Sequence, residues 1–347
     1  MVRYPFDLLR AVSPSTWLRT LRFSKGEVEP LTTNGKSEWI PMSPLEKQIL
    51  QLTEQQGPLT GSEILQATGE DGLLLWRTCK LSSVLSPLTV GTRYLRLDRR
   101  IDGFARLSPS ILREFLTYTV IGPSNDRASL LLRSQKITSH IEEVSRAKSQ
   151  LAYTVIAALA DRFEHALPLH EHVCFIIAGD IVYNMAHDVP RPERSTGKLV
   201  KGSDVDLVVI VDPFFPKELV ERLDEAIYLE KSRLLMTPHL QEEIDYIVKD
   251  VNRVMEQLQF DSFKHMVACK ILHEGTLLYG SETLFHWSKR MLKEYGVHEK
   301  LQAMEEASHL FRKKAEEYLL QENIQTIQAS DLNLFYPVEE SEEFSLF

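Results

Sequence analysis

Residues 202–211 place two acidic residues at the start of a strongly apolar run. The sequence there is Gly-Ser-Asp-Val-Asp-Leu-Val-Val-Ile-Val, and Asp-Pro follows it. An uninterrupted apolar run rich in β-branched residues, entered through a Gly-Ser turn, predicts a buried strand. Because side chains alternate between the two faces of a strand, Asp204 and Asp206 are predicted to point the same way. Any fold of this chain must therefore hold two neighbouring carboxylates at one end of a core strand.

Two carboxylates this close repel each other, so one is expected to stay protonated unless a cation lies between them. Hard divalent ions such as Mg²⁺ take oxygen ligands and often bridge carboxylates to substrate phosphates. The structural alternative is that Asp204 caps the strand and Asp206 lies on a solvated edge. Acidic residues are depleted from strand interiors, so the pattern favours half of a metal site.

Composition narrows the class of protein. The 347 residues suffice for two or three domains, and 43% hydrophobic with 26% charged residues are typical of a soluble globular protein. The net charge of −9 argues against a chain that coats nucleic acid or membrane. Cys79, Cys174 and Cys269 are far apart, which predicts reduced core residues of a cytoplasmic protein. No run approaches the ~20 apolar residues of a membrane span, and no signal peptide is recognisable.

An N-terminal arm is predicted for residues 1–42, followed by a domain over residues 43–122. Ser43-Pro44-Leu45-Glu46 combines a capping serine, a proline at the first helical position and a capping-box glutamate. Further helices are predicted from Thr60, over residues 73–85 and from Ser108, with a hairpin formed by residues 90–97 and 104–107. Three helices and a hairpin resemble a winged helix-turn-helix domain.

Basic side chains of this domain are candidates for nucleic-acid contacts. They are Arg77 and Lys80 on the third helix, and Arg93, Arg96, Arg99, Arg100 and Arg106 on the hairpin. The alternative is a protein-docking domain whose arginines are merely solvated. The chain is acidic and no base-reading set stands out, so both readings stay open.

The core domain is predicted over residues 123–249, around the acidic pair. It comprises a long helix over residues 130–163, a buried strand at 172–178, a helix from residue 181, the central strand, a crossover helix at 216–235 and a strand at 243–248. Asp245 lies inside the last strand, which as a neighbour would bring it against Asp204 and Asp206. Residues 187–201 are predicted to form a mobile loop whose basic residues are Arg191, Arg194, Lys198 and Lys201. We expect that loop to be solvated; the alternative is contact with a triphosphate or an acceptor strand.

A C-terminal helical domain is predicted over residues 250–322 and an acidic flexible tail over residues 323–347. The tail contains an aromatic island, Leu334-Phe335-Tyr336-Pro337, and is expected to be disordered or docked as an extended peptide.

The order of motifs resembles the polymerase-beta-like nucleotidyltransferase superfamily, of the small bacterial type. The resemblance covers residues 147–292: a strand, a glycine turn, a helix, Gly-Ser-Asp-x-Asp on a strand, and a third Asp on a later strand. Residues 271–281, Ile-Leu-His-Glu-Gly-Thr-Leu-Leu-Tyr-Gly-Ser, are similar to the corresponding family segment. The implied fold is α+β: a winged helix-turn-helix-like domain, a polymerase-beta-like mixed sheet with flanking helices, and a C-terminal helical bundle.

The resemblance also implies a set of site residues. Asp204 and Asp206 would hold two Mg²⁺ (or Mn²⁺) ions, and Asp245 would complete the metal that activates the attacking hydroxyl. Nucleotide binding would involve Gly179, Ser203 and one of the two lysines Lys264 and Lys270.

The sequence departs from the family pattern at the first turn. Gly179 is followed by Asp180 instead of Ser or Gly, and the connection to Asp204 is longer than usual. Asp180 would disfavour nearby phosphates unless it turns away or caps the following helix.

The implied reaction transfers a nucleoside monophosphate from an NTP or dNTP, such as ATP, to a hydroxyl with release of pyrophosphate. With a winged-helix domain, this suggests a bacterial anti-phage defence enzyme that makes an oligonucleotide signal for a partner effector protein. Tyr336 of the tail is a candidate primer, and such protein-primed synthesis resembles that of Hailong-type defence nucleotidyltransferases. The alternative is that Tyr336 is an aromatic anchor that docks the tail on the core. Two further readings are a toxin- or antitoxin-type enzyme that adds AMP or nucleotides to protein or RNA, and a DNA-binding regulator with a degenerate nucleotidyltransferase fold.

Overall fold

Capping interactions define the first helices of the described chain. The computed structural model describes residues 42–163, 168–328 and 330–340. Of the predicted N-terminal arm, residues 1–41 lie outside the described residues, as do residues 341–347 of the tail. Ser43 and Glu46 form a reciprocal capping box, and so do Thr60 and Glu63. The predicted helix starts at Ser43 and Thr60 are therefore confirmed.

The N-terminal region holds two separate small sheets. Its elements are α1 (Pro44–Gln56), β1 (Leu59–Thr60), α2 (Gly61–Thr68), α3 (Gly72–Leu81), β2 (Leu85–Thr89), β3 (Tyr94–Leu97), β4 (Ala105–Ser108), α4 (Ile111–Tyr118) and β5 (Thr119–Pro123). β5 lies between β1 and β2 in an antiparallel sheet, whereas β3 and β4 form a second, two-stranded antiparallel sheet. The predicted hairpin is confirmed as β3–β4, but β2 and β5 were not predicted.

The central sheet is mixed, as expected. It is built from β6 (Val173–Ala178), β9 (Val205–Val211), β10 (Ile244–Asp250) and β11 (Thr276–Gly280) in the order β10-β9-β6-β11. β10 is parallel to β9, and the other neighbours are antiparallel. Helices α5 (Arg127–Phe163), α6 (Leu169–His172), α7 (Lys217–Met236), α8 (Val251–Gln257), α9 (Phe263–Glu274), α10 (Glu282–Glu294) and α11 (Val297–Gln321) surround it. The described chain is therefore of the α+β class.

β9 is buried on both faces, and its alternation sets the direction of the acids. Leu207 and Val209 pack in a cluster with side chains of α5 and α7. Val208 and Ile210 pack in another cluster with side chains of α8, α9, α10 and α11. Asp204 and Asp206 share the parity of the second pair, in agreement with the prediction that both carboxylates point to one side.

Two local predictions between β6 and β9 are wrong. The predicted helix from residue 181 is a 3-10 turn, Gly179–Tyr183. Residues of the predicted mobile loop form a β-hairpin of β7 (Pro190–Pro192) and β8 (Leu199–Lys201). Arg191, which is 9% exposed, ties the hairpin to Gly202 and Glu243. Lys201 Nζ donates to the backbone oxygen of His239 at 2.7 Å.

The described part of the tail is docked rather than extended. Helix α12 (Leu332–Phe335) places Phe335, 1% exposed, against Trp76 with ring centroids 5.6 Å apart. The three cysteines are buried and free, as predicted. No helix in the described ranges is both long and apolar enough to cross a membrane.

Candidate functional site

Strand pairing brings the three predicted acids together. In the parallel β9–β10 pair Asp245 lies opposite Asp206, and Asp204 immediately precedes β9. On the other side of β9, Ala178 at the end of β6 lies opposite Asp206. All three carboxylates line one cavity of about 320 Å³, together with Gly179. The sequence predicted that a neighbouring strand would bring Asp245 against Asp204 and Asp206, and the register of β10 places it opposite Asp206.

Gly179 is required by the close approach of an acid. Its φ is +72°, and a Cβ built there would lie 2.2 Å from Oδ2 of Asp206. Any side chain at this position would have to displace the carboxylate. The glycine expected to let the backbone approach a triphosphate therefore also fixes the position of Asp206.

Burial and nearby negative charges raise the pKa values of Asp204 and Asp206. Burial is the main cause that raises the pKa of Asp206 well above its ordinary value. The further contributions come from the negative charges of Asp204, Asp180, Asp245 and Glu274. Burial also raises the pKa of Asp204, against the opposing effect of Arg191, whose Nη2 is 3.8 Å from the carboxylate. This mutual repulsion is what a bound cation would relieve.

Asp180 faces Ser203 and does not cap the turn that follows it. Ser203 Oγ donates to Asp180 Oδ2 at 2.7 Å, and the Tyr94 hydroxyl donates to Oδ1. Burial, followed by the charge of Asp180, raises the pKa of Tyr94 well above its ordinary value. Ser203 Oγ also accepts from the His187 backbone N–H at 3.2 Å. The serine predicted to contact nucleotide thus anchors Asp180 in the cavity wall.

Arg191 ties the β7–β8 hairpin to the site. Its Nε donates to the Gly202 carbonyl at 2.7 Å, and its Nη2 lies 2.8 Å from Glu243. Arg194 of the same hairpin also lines the cavity. The predicted basic loop therefore contributes two arginines, one of them held in place by backbone and carboxylate contacts.

The two candidate lysines of α9 have different surroundings. Lys270 lines the cavity and pairs with Glu274 at 2.5 Å. Its Nζ lies 5.5 Å and 5.7 Å from the ring centroids of Tyr94 and Tyr183, which stack at 4.0 Å. Lys264 is exposed at the start of α9 and is not among the residues that line this cavity.

Most basic candidates of the N-terminal region are engaged by protein groups. Arg77 Nη1 donates to the Leu319 and Glu322 carbonyls, and Arg93 pairs with Glu114 at 2.6 Å. Arg106 is buried beside Asp98, Arg99 lies over the Phe263 ring at 5.0 Å, and Lys80 is exposed. Arg96 differs, because it lines the cavity of the three acids.

The tail meets the cavity through a residue that was not predicted. Tyr336 is half-buried beside Phe335, and it does not line this cavity. Glu340 does line it, with Arg96 and Arg113. Arg113 was missed because helix α4 shows only an amphipathic pattern, and Glu340 because it is one of several tail acids.

The donor set of the cavity fits a hard divalent cation, although the side chains are not arranged around one. Within residues 42–163, 168–328 and 330–340, no group of three or more His, Cys, Asp or Glu side chains has metal-binding geometry. The carboxylates of Asp206 and Asp245, at paired strand positions, and of Asp204, just before β9, supply the oxygen ligands that Mg²⁺ and Mn²⁺ prefer. Burial, together with neighbouring negative charges, raises the pKa values of Asp204 and Asp206, and a bound cation would offset both effects.

Comparison of the chain with protein-family models, with curated proteins and with solved structures found no match.

Proposed function

We propose that this protein is a Mg²⁺-dependent nucleotidyltransferase that moves a nucleoside monophosphate from an NTP or dNTP to a hydroxyl. The observation that carries the proposal is the register of β9 and β10, which sets Asp245 opposite Asp206. With Asp204 in the same cavity and Gly179 pressed against Asp206, this is a constellation suited to two-metal phosphoryl transfer.

We also propose that the core is polymerase-beta-like and that the N-terminal region is winged-helix-like. A parallel β9–β10 pair beside antiparallel β6, entered through a glycine turn, supports the polymerase-beta-like arrangement. The order α1, β1, α2, α3, β2 with β5 between the two strands supports a winged-helix-like N-terminal region. In that arrangement the β3–β4 hairpin is an insertion and not the wing.

The three acids and Lys270 of the cavity would each have a chemical role. Asp204, Asp206 and Asp245 would hold the metal, which when bound supplies positive charge to the triphosphate and to the attacking oxygen. Lys270 is placed to contact phosphate oxygens if it leaves Glu274. In the reaction the bond from the acceptor oxygen to the α-phosphorus forms, the bond from that phosphorus to pyrophosphate breaks, and the hydroxyl proton passes to water.

A labelled-nucleotide assay tests the reaction. Each labelled NTP and dNTP is incubated with the pure protein and Mg²⁺, and products are separated on a denaturing gel. Asp206→Asn keeps the shape of the side chain but removes its charge, and it is expected to reduce product by about a hundredfold or more. Asp188→Asn is the matched control, because Asp188 pairs with the exposed His140 and does not line the cavity. Equal product from Asp206→Asn and the control would overturn the proposal.

The same gel identifies the acceptor. Run before and after protease treatment, it separates free oligonucleotides, as expected for a defence signal read by a partner effector, from nucleotide attached to protein. Product on the protein would favour the toxin- or antitoxin-type alternative or priming by Tyr336. Tyr336→Phe then decides between these two, since loss of product would assign the primer and unchanged product would exclude it.

A further inference from the structure

A second charged cluster lies in the wall of the cavity that holds the three acids. Arg96 from β3 and Arg113 from α4 converge there on Glu340 from the tail. Arg96 Nη1 lies 2.9 Å from Oε1 of Glu340, and Arg113 Nε lies 3.8 Å from Oε2. Ser110 Oγ donates to Oε2 at 2.6 Å. Each oxygen of this carboxylate is therefore held by donors from the N-terminal region.

Glu340 reaches this position because the tail is anchored upstream. Phe335 is buried against Trp76, and a short 3-10 turn, Val338–Glu340, carries the chain on to the cavity. Glu340 is only 3% exposed. The anchor and the charged contact are thus separate, so the charge of Glu340 can be removed without removing the anchor.

Other contacts of the protein hold Ser110 and Arg113 in position around Glu340. Ser110 caps α4 by accepting from the Arg113 backbone N–H at 3.1 Å. Arg113 Nη1 lies 2.9 Å from Nε2 of His187, whose pKa is held well below its ordinary value, mainly by burial and then by Arg113. A neutral ring accepts from the guanidinium, which keeps Arg113 oriented.

These donors match phosphate as well as carboxylate. Guanidinium groups offer paired N–H donors that suit both anions, and the start of a helix adds partial positive charge. By contrast, Glu340 adds a negative charge to a cavity that already holds Asp204, Asp206 and Asp245. A carboxylate of the protein's own tail therefore occupies a group of donors that also suits phosphate.

We propose that Arg96, Arg113 and Ser110 form a phosphate-binding subsite that Glu340 occupies until a substrate phosphate displaces it. The inference rests on the proposed function for the identity of the ligand, which is a phosphate of either the donor nucleotide or an oligonucleotide acceptor. The tail then acts as an internal competitor. If the subsite is free in about a tenth of molecules, removing the competitor strengthens phosphate binding by about tenfold.

Calorimetric titration tests the subsite without requiring catalysis. The probes are a non-hydrolysable nucleoside triphosphate with Mg²⁺ and a 5′-phosphorylated single-stranded tetranucleotide. Glu340→Gln is expected to lower the Kd of one probe about five- to tenfold, and the probe affected identifies the source of the phosphate. Adding Arg96→Gln to that variant should abolish the gain. Asp331→Asn is the control, since it removes a tail charge that bonds to Gln328 and Tyr318.

Three results would overturn the proposal. They are a Kd in Glu340→Gln within about twofold of wild type for both probes, a gain that persists with Arg96→Gln, or an equal gain in Asp331→Asn. Thermal melting confirms that each variant is folded. The outcome is separable from that of the proposed function: tighter binding in Glu340→Gln with no labelled product keeps the subsite and refutes nucleotidyl transfer. Labelled product that depends on Asp206, together with an unchanged Kd in Glu340→Gln, keeps nucleotidyl transfer and refutes the subsite.

Discussion

Replacing Gly179 by alanine tests how tightly the glycine turn and the acidic site are coupled. The new Cβ would lie 2.2 Å from Oδ2 of Asp206, so the carboxylate must move by about an ångström to reach ordinary contact. A misplacement of about 1 Å at a reacting centre costs roughly a hundredfold in rate. The positive φ of +72° adds about 1–2 kcal/mol of backbone strain.

Gly103→Ala provides the matched control. Gly103 has a φ of +75°, and nothing lies within 4 Å of its added Cβ. Both variants should lose about 1–2 kcal/mol in urea unfolding from backbone strain. Only Gly179→Ala should also lose about a hundredfold in the labelled-nucleotide assay. Equal activities of the two variants would refute the coupling, and with it the role given to the glycine turn.

Two further predictions concern stability. Phe335→Ala should lower the free energy of unfolding, measured by urea titration, by about 3–5 kcal/mol, because Phe335 is 1% exposed. Val338→Ala is the control and should cost far less, because Val338 is 45% exposed. Similar losses in the two variants would show that Phe335 does not anchor the tail. Burial by itself would raise the pKa of Glu193, but hydrogen bonds donated by Thr196 and Ser195 outweigh it and lower this pKa to about 2. Because this pKa is depressed, its stabilisation is present above the ordinary value near 4.5 and is lost as pH falls towards 2. Hydrogen exchange at the Ser195 amide should show this loss in wild type and not in Glu193→Gln; equal pH profiles would contradict it.

Local patterns predicted the elements that carry the acids. The apolar run of residues 207–211 predicted a buried strand, because it is short, rich in β-branched residues and bounded by turn signals. The capping boxes at Ser43 and Thr60 likewise satisfy backbone donors within a few residues. Such features depend on neighbours in the sequence, so they can be read without knowing the fold.

Elements stabilised by distant partners were missed. β5 ends in Gly122-Pro123, a local turn signal, yet it forms the centre of a sheet because β1 and β2 pair with its two edges. Residues 187–201 are polar and rich in proline, and the hairpin there depends on contacts of Arg191 with Gly202 and Glu243. Neither set of contacts leaves a periodic trace in the sequence.

The sequence by itself determined that Asp204 and Asp206 share one side of a core strand, because the alternation of side chains is a local property of extended backbone. Only the tertiary structure decided which groups meet them. The register of β10 brings Asp245 opposite Asp206, and the docking of Phe335 brings Glu340 to Arg96. These neighbours are far apart in the chain, and packing between separate elements fixes their distances.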